Sequence, residues 1–535
     1  MSDRLEEILI RRRLRNRGAQ RQVARRAGVG PGQSRRVTSM LVRDVLSKLN
    51  FGNSVAEFDD ALERYFVETD TFRQLVEDRV DIVAGDKGTG KTALFKILNK
   101  RYPTIPELEN VEVVPAFNVA GSPVFQRLSE GEALSEQTYM TLWKAYVLSL
   151  AGNWILALYE EAFTDKMYEL DKLLETTGLR SADDSPGTVF SSIVNLFKRI
   201  TNPKAIEATI TISPHGLPIV IPRVELGDTS STVSDYIPHD EAFALLNTVL
   251  EEVHLSLWLV LDRLDEAFAG LPAIEIPVLR ALLRTYLDLA PFTQVRLKLF
   301  LRKDLFRRII AGGFVNLTHI NARRVEIIWD EDALFDLLQR RARESGDVLA
   351  MLGVDPDDGG AVFASLFPDQ VDQGKRKPKT WTWLMRRIRD GNDTKPPRNL
   401  IDLVQKSQEA QIRREERENN EFADRPLIAP DALKSGLRVL SKQRVEDTLL
   451  AEAGQHADYI ERFRNSKAEH NLDTLSKLLG VEGDELHSVV QVLLDIGFLE
   501  AVGSNYKIPS LYRDGLGVTQ GKAFAPEEEA EDDED

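Results

Sequence analysis

Residues 80–96 read VDIVAGDKGTGKTALFK, and the rest of the chain is organised around this stretch. Val80, Ile82, Val83 and Ala84 make a short apolar run of strand type, and Gly85 interrupts it. From Thr92 the run TALFKIL returns to a helical period, with Ala93, Leu94, Ile97 and Leu98 on one face. In that context Gly85, Gly90, Lys91 and Thr92 match the pattern G-x-x-x-x-G-K-[ST]. Such a loop turns backbone N–H groups toward phosphate oxygens at the positive end of a helix, and side chains at the glycine positions would block the approach. Gly85, Asp86, Lys87, Gly88, Thr89, Gly90, Lys91 and Thr92 are therefore the expected nucleotide-binding set. Lys91 would reach the β- and γ-phosphates, and the Thr92 hydroxyl would take one place around Mg2+.

A second apolar run, Leu255 to Leu261, ends in Asp262, Asp265 and Glu266. Near-continuous apolarity marks a strand buried on both faces of a parallel sheet, and acids at its C-terminal edge lie in the crevice where nucleotides bind. Asp262 is expected to hold Mg2+, directly or through water. Either Asp265 or Glu266 would orient the attacking water, and the sequence leaves the choice between them open. The segment VRLKLFLR (295–302) alternates Leu297, Leu299 and Leu301 and ends in Arg302, placed to feel a γ-phosphate. Pro396 and Pro397 introduce a helix opened by Arg398, which is read either as turning back toward the nucleotide or as ordinary helix surface.

The 535 residues, 42% hydrophobic and 29% charged, have globular composition and suffice for several domains. With no cysteine, disulfides and thiolate metal sites are excluded, and a cytoplasmic location is the simplest expectation. The start, MSDRLEEILIRRRLRNRG, has no apolar core of a secretory signal. The most apolar stretch, Tyr146 to Tyr159, is flanked by Lys144 and Glu160 and is too short to cross a bilayer, so no membrane partner is expected. The net charge of −16 is unevenly placed. Residues 1–48 carry 13 Lys or Arg against 4 Asp or Glu, whereas the last nine residues include eight acids. The acidic body repels nucleic acid, so contact with DNA or RNA would be confined to the basic arm. Within the arm, RQVARRAGVGPGQSRRV (21–37) resembles the middle of a helix-turn-helix, but Gly30, Pro31 and Gly32 stand where a recognition helix would begin. Three readings stay open: a DNA-reading unit, a flexible arm on phosphate, or an arm pairing with the acidic tail or a partner protein.

The remaining pattern predicts an amphipathic helix over 54–66, a strand over 111–119 and a long helix over 134–163. An insertion over 164–236 is expected to contain a helix near 189–200 and a hairpin turning at Pro214–Gly216. Near the end, LDTLSKLLGV, DELHSVVQVLLDIGFL and AVGSNYKIP read as helix, helix and wing. The second of these holds no Lys or Arg between 484 and 496, which favours protein packing over DNA reading. The expected organisation is a basic arm (1–48), an NTPase core (49–330), a helical lid (331–418), a winged-helix-like domain (425–515) and an acidic tail (516–535). The expected fold class is α/β, a P-loop NTPase parallel sheet with flanking helices, lid and C-terminal winged helix.

GDKGTGKT (85–92), WLVLDRLDEAF (258–268), FLRKDLF (300–306) and PPRNLIDLV (396–404), followed by that last domain, together resemble the AAA+ and STAND division of P-loop NTPases. The D-x-L-D-E spacing at 262–266 is closer to NACHT-like and KAP-like members. More narrowly, the chain resembles bacterial P-loop ATPases that share an FG-x-x-x-AE-type helix before the loop, here Phe51, Gly52, Ala56 and Glu57. The resemblance implies ATP and Mg2+ as cofactors. It implies Walker A roles for Lys91 and Thr92, a Walker B role for Asp262, sensor roles for Arg302 and Arg398, and hydrolysis driving a conformational switch in stress or phage-defence signalling. The alternative is a DNA-associated motor or loader that grips nucleic acid through residues 1–48. Arg263 departs from the pattern, standing where AAA+ proteins place a catalytic glutamate. Arg280, Arg284, Arg307 and Arg308 are all open as an arginine finger, and one acting in trans would require a homo-oligomer.

Overall fold

The computed structural model describes residues 41–117, 135–160, 162–180, 209–212, 218–221, 239–264, 272–311, 313–421 and 426–524. Most of the basic arm, the helix expected near 189–200, the hairpin turn, Asp265, Glu266 and the part of the expected acidic tail after Phe524 lie outside these residues. Two compact units divide the chain. The first includes Asp70–Gly85 and Lys91–Glu326; the second includes Gly32–Thr69, Asp86–Gly90 and Ile327–Asp535.

The first unit is built on strands β1 (Ile82–Gly85), β2 (Val111–Phe117), β5 (Ser256–Leu261), β6 (Val295–Arg302) and β7 (Arg324–Glu326), with β3 (Thr209–Ile212) and β4 (Pro218–Ile221) forming a separate antiparallel pair. The five strands make one sheet in the order β2-β5-β6-β1-β7, parallel throughout. β1 and β5 are buried along almost their whole length because helices cover both faces, which is why they read as unbroken apolar runs. Helix α1 (Lys91–Arg101) follows β1 directly and buries Leu94, Phe95, Ile97 and Leu98. Helix α2 (Glu136–Leu158) is capped by Ser135 and buries Trp143 and Tyr146, with the Trp143 indole N–H donating to the Val278 carbonyl at 3.0 Å. The helix Asp165–Thr176, at the start of the expected insertion, buries Met167, Leu170 and Leu174 in the same core. No described helix is long and apolar enough to cross a membrane.

The alternation expected for β6 is only partial. Lys298 and Phe300, on the supposed outer face, are as buried as the leucines beside them. Lys298 is fully enclosed: its ammonium bonds to Asp78, to the Val80 carbonyl at 2.9 Å and to Asp81 at 2.8 Å, and it lies 4.0 Å from the centre of the Trp258 ring. Arg323 pairs with the same two acids, and the Tyr286 hydroxyl donates to Asp81 at 2.8 Å. Each buried charge thus has a partner, as burial demands.

The second unit buries its own apolar cluster. Helices α3 (Glu331–Arg343), α4 (Thr380–Ile388), α5 (Pro397–Glu418) and α6 (Pro430–Gln443) contribute Leu334, Trp383, Leu384, Leu400, Leu403 and Leu433. A four-stranded sheet closes it, ordered β11-β8-β10-β9, from β8 (Lys467–His470), β9 (Glu500–Val502), β10 (Asn505–Lys507) and β11 (Thr519–Lys522). Between β8 and β9 run α7 (Leu472–Leu479) and α8 (Gly483–Asp495). A reciprocal cap by Asn471 and Thr474 starts α7, and left-handed Gly480 stops it.

This division differs from the expected boundaries in four places, one of them the start of the tail: Thr519–Lys522, expected as tail, is strand β11 paired with β8. Residues 41–48 are not arm: Val42, Val45 and Leu46 are buried in the second cluster. Residues 49–69 belong with the helices after Ile327, not with the sheet. The lid and the C-terminal region share one core. The helix expected over 54–66 is two single 3-10 turns, Ala56–Phe58 and Leu62–Arg64. Arg341, far along the chain, binds the segment and the residues just before it. Buried Arg341 donates to the Phe51 and Asn53 carbonyls, pairs with Asp59 at 3.1 Å and lies over the Tyr65 ring, whose hydroxyl bonds Asp59. Phe58, expected on the apolar face, is 74% exposed.

Candidate functional site

In the first unit, β1 delivers Gly85 to the C-terminal edge of the sheet, where Gly85 is in register with Arg302 at the end of β6. The chain continues through 86–90 and re-enters helix at Lys91 and Thr92, the first residues of α1. The Lys91 ammonium donates to the Gly85 carbonyl at 2.8 Å, so the lysine curls back over its own loop. Asp262, the first residue past β5, is only 3% exposed. Its carboxyl is hydrogen-bonded by the Thr92 side chain and by the backbone N–H of Arg263, and it feels the charge of Lys91. Arg263 itself holds a positive φ of 58°, uncommon for a residue with a side chain. Burial nevertheless dominates and pushes the Asp262 carboxyl up to about 6. Its Oδ2 has no hydrogen-bond partner among the described residues. A buried, under-satisfied carboxylate oxygen beside a threonine hydroxyl is an all-oxygen donor set of the kind Mg2+ takes, with further places left for phosphate and water. Asp262 and Thr92 thus fit the expected metal pair.

Arg302 caps the helix Lys303–Ile310 and donates through Nε and Nη2 to Asp304, both at 3.0 Å. It stands at the expected sheet edge, already engaged by a carboxylate. Arg280 and Arg284 both pair with Glu136 and lie over the Phe314 ring, and Arg308 pairs with Glu275. Asp265 and Glu266 lie outside the described residues.

In the second unit, the loop residues 86–90 have their own supports. Gly88 and Gly90 adopt φ of +80° and +102°, a region in which a side chain would be strained. At Gly88 the space is also closed, since an added Cβ would come within 3.0 Å of the Arg398 Cβ. The Arg398 amide makes a long 3.4 Å approach to the Gly88 carbonyl, which sets the start of α5 beside the loop. The Arg398 Nε is buried without a hydrogen-bond partner among the described residues. Two contacts have no counterpart in the sequence motifs. The Trp329 indole N–H donates to the Thr89 carbonyl at 2.8 Å, and the Thr394 hydroxyl donates to Asp86 at 3.3 Å. A tryptophan next to a helix cap and a threonine before two prolines carry no signal of such a role.

Asp390, at the end of α4, also escapes a sequence reading. Its Oδ1 accepts from the Asn392 and Thr394 amides, each at 2.9 Å. Burial, reinforced by the charges of Asp86 and Asp393, outweighs these bonds and pushes its carboxyl up to about 6. A folded-state value above the unfolded one means a contribution to stability present in acid and lost as pH rises through 6. Asp390→Asn keeps an oxygen for the two amides and removes the buried charge. It is expected to raise the melting temperature at pH 8, by the equivalent of about 2 kcal/mol, and to leave it unchanged near pH 4. Differential scanning fluorimetry across pH checks this.

No family model matches the chain, and no curated protein sequence matches it. Among solved structures it is similar to the Aeropyrum pernix ORC1 protein in complex with DNA, at 13% identity and a TM-score of 0.35, covering 88% of this chain and 97% of that one. It is also similar to a Walker-type ATPase of Pyrococcus abyssi, at 11% identity and a TM-score of 0.38, covering 85% and 96%. A third similarity is to Cdc6p from Pyrobaculum aerophilum, at 13% identity and a TM-score of 0.26, covering 86% and 97%. At such identities and TM-scores, what the chain binds is left to the geometry of its own site.

Proposed function

We propose that this chain is an ATP-binding and ATP-hydrolysing P-loop NTPase of the AAA+/STAND division that works as a nucleotide-driven conformational switch. The observation that carries the reading is the meeting of Thr92, Lys91 and Asp262 at one sheet edge, with an unsatisfied Asp262 oxygen beside the Thr92 hydroxyl. The loop amides would cradle the phosphates and Lys91 would leave the Gly85 carbonyl for a phosphate oxygen. Thr92 and Asp262 would hold Mg2+, which when bound supplies charge neutralisation of the phosphates. Asp265 or Glu266 would orient water, and Arg302 and Arg398 would sense the nucleotide. The helix pair α7 and α8 with the β9–β10 hairpin reads as a winged helix used for packing. Asp262→Asn is expected to lower Mg2+-dependent turnover by about 10²-fold or more while ATP binding without Mg2+ persists. Wild-type turnover in this variant would reject the assignment. A second reading, the DNA-associated motor, rests on the charge of residues 1–48. The same assay with DNA added separates the two, since only the motor requires stimulation that falls steeply with salt.

A further inference from the structure

We infer that residues 389–398 form a two-ended connector through which the phosphate loop and the C-terminal sheet-and-helix module bias one another. The inference rests on the nucleotide reading above and extends it to a specific mechanical path, every contact of which lies within the second unit.

At one end the connector touches the loop. The Thr394 hydroxyl holds Asp86, and Arg398 fills the space beside Gly88 so closely that a Cβ there would meet it at 3.0 Å. At the other end it is clamped to the turn between α8 and β9. The Gly391 amide donates to the Gly497 carbonyl at 2.7 Å, and the Asn392 amide side chain donates to the Asp495 carbonyl at 3.2 Å. Arg389 forks onto both oxygens of Glu500 at 3.1 Å. Backbone meets backbone here: a Cβ on Gly391 would lie 2.3 Å from the Leu499 carbonyl oxygen. Gly497, at φ +73°, leaves room for the Asp390 carboxyl, which would lie 2.9 Å from a Cβ placed there.

Between its ends the segment is stiff. Asp390 closes a turn onto the amides of residues 392 and 394, and two consecutive prolines with fixed φ lead into α5. A stiff element anchored at both ends transmits a displacement; a floppy one absorbs it. Phosphate drawing on the loop amides would shift the seat of Thr394 and Arg398, and the clamp at the other end would carry that shift to the α8–β9 turn, from which α8 and the hairpin depart. By reciprocity, what binds the module alters nucleotide affinity by the same factor.

The test is amide hydrogen exchange of residues 493–502 in the full chain, with and without a saturating non-hydrolysable ATP analogue and Mg2+. In the wild type the nucleotide is expected to change exchange in this turn by about fivefold or more, the lower end of measured coupling factors. Arg389→Ala, which removes the fork onto Glu500 and touches no phosphate-loop residue, is expected to reduce that change at least twofold while the analogue still binds. Thr394→Val is expected to do the same from the loop end. Retention of the full exchange change in both variants would overturn the connector, as would a bound analogue with no change in the wild type. Failure of the wild type to bind the analogue would instead overturn the nucleotide reading, and the connector with it.

Discussion

Replacing Lys91 with alanine is expected to lower ATP turnover by about 10²–10³-fold, the cost of losing one preorganised donor aimed at the developing charge. The lysine is half-buried, and its ammonium bonds the carbonyl of Gly85, six residues back, so its removal leaves the sheet core intact. The melting temperature should therefore stay near that of the wild type while turnover collapses. Phosphate release and thermal melting on the same preparation check both halves. Wild-type turnover in Lys91→Ala would place the chemistry elsewhere.

The second large effect concerns stability. Lys298→Met removes the buried cation between Asp78 and Asp81 and is expected to destabilise the first unit by about 3–5 kcal/mol, because Asp81, itself 2% exposed, keeps only Arg323 as a charge partner. Burial alone would raise the Asp81 carboxyl, but hydrogen bonds and charge from Arg323 and Lys298 hold it below the usual carboxylate range. A depressed value means stability that is present above the ordinary carboxylate pKa and lost in stronger acid. The penalty of Lys298→Met should accordingly be full at neutral pH and shrink on acidification. Adding Asp81→Asn to the variant should restore part of the loss at neutral pH. Chemical denaturation followed by near-UV circular dichroism, with Trp258 against the ammonium as reporter, measures it. A neutral-pH stability equal to wild type would show that the cluster contributes nothing.

How much of this was legible in the chain follows from where each residue finds its partners. β1 and β5 could be read because helices on both faces leave no place for polar residues, and the loop between β1 and α1 could be read because its chemistry is confined to eight consecutive positions. Asp262 was legible by position, since an acid that ends a doubly buried strand has few other places to be. Lys298 was not. Alternation assigns a lysine in a strand to solvent, and the acids that allow its burial lie some 220 residues earlier. Residues 54–66 resist the reading for a related reason: their apolar spacing suits a helix, but Asp59 and Tyr65 within them are both engaged by Arg341, far along the chain. The contacts of Trp329, Asp390 and Thr394 are likewise products of tertiary placement. Glycines at 391 and 497 show no motif, yet a backbone-to-backbone approach to Leu499 requires the first, and a positive φ beside the Asp390 carboxyl requires the second.

The central claim is that the edge holding Lys91, Thr92 and Asp262 is a nucleotide-phosphate site. Titration calorimetry of the full chain with ATP and Mg2+ tests it most directly. The account predicts saturable binding at one site in the wild type and none in Lys91→Ala under the same conditions; no binding by the wild type, or equal binding by both, would contradict it.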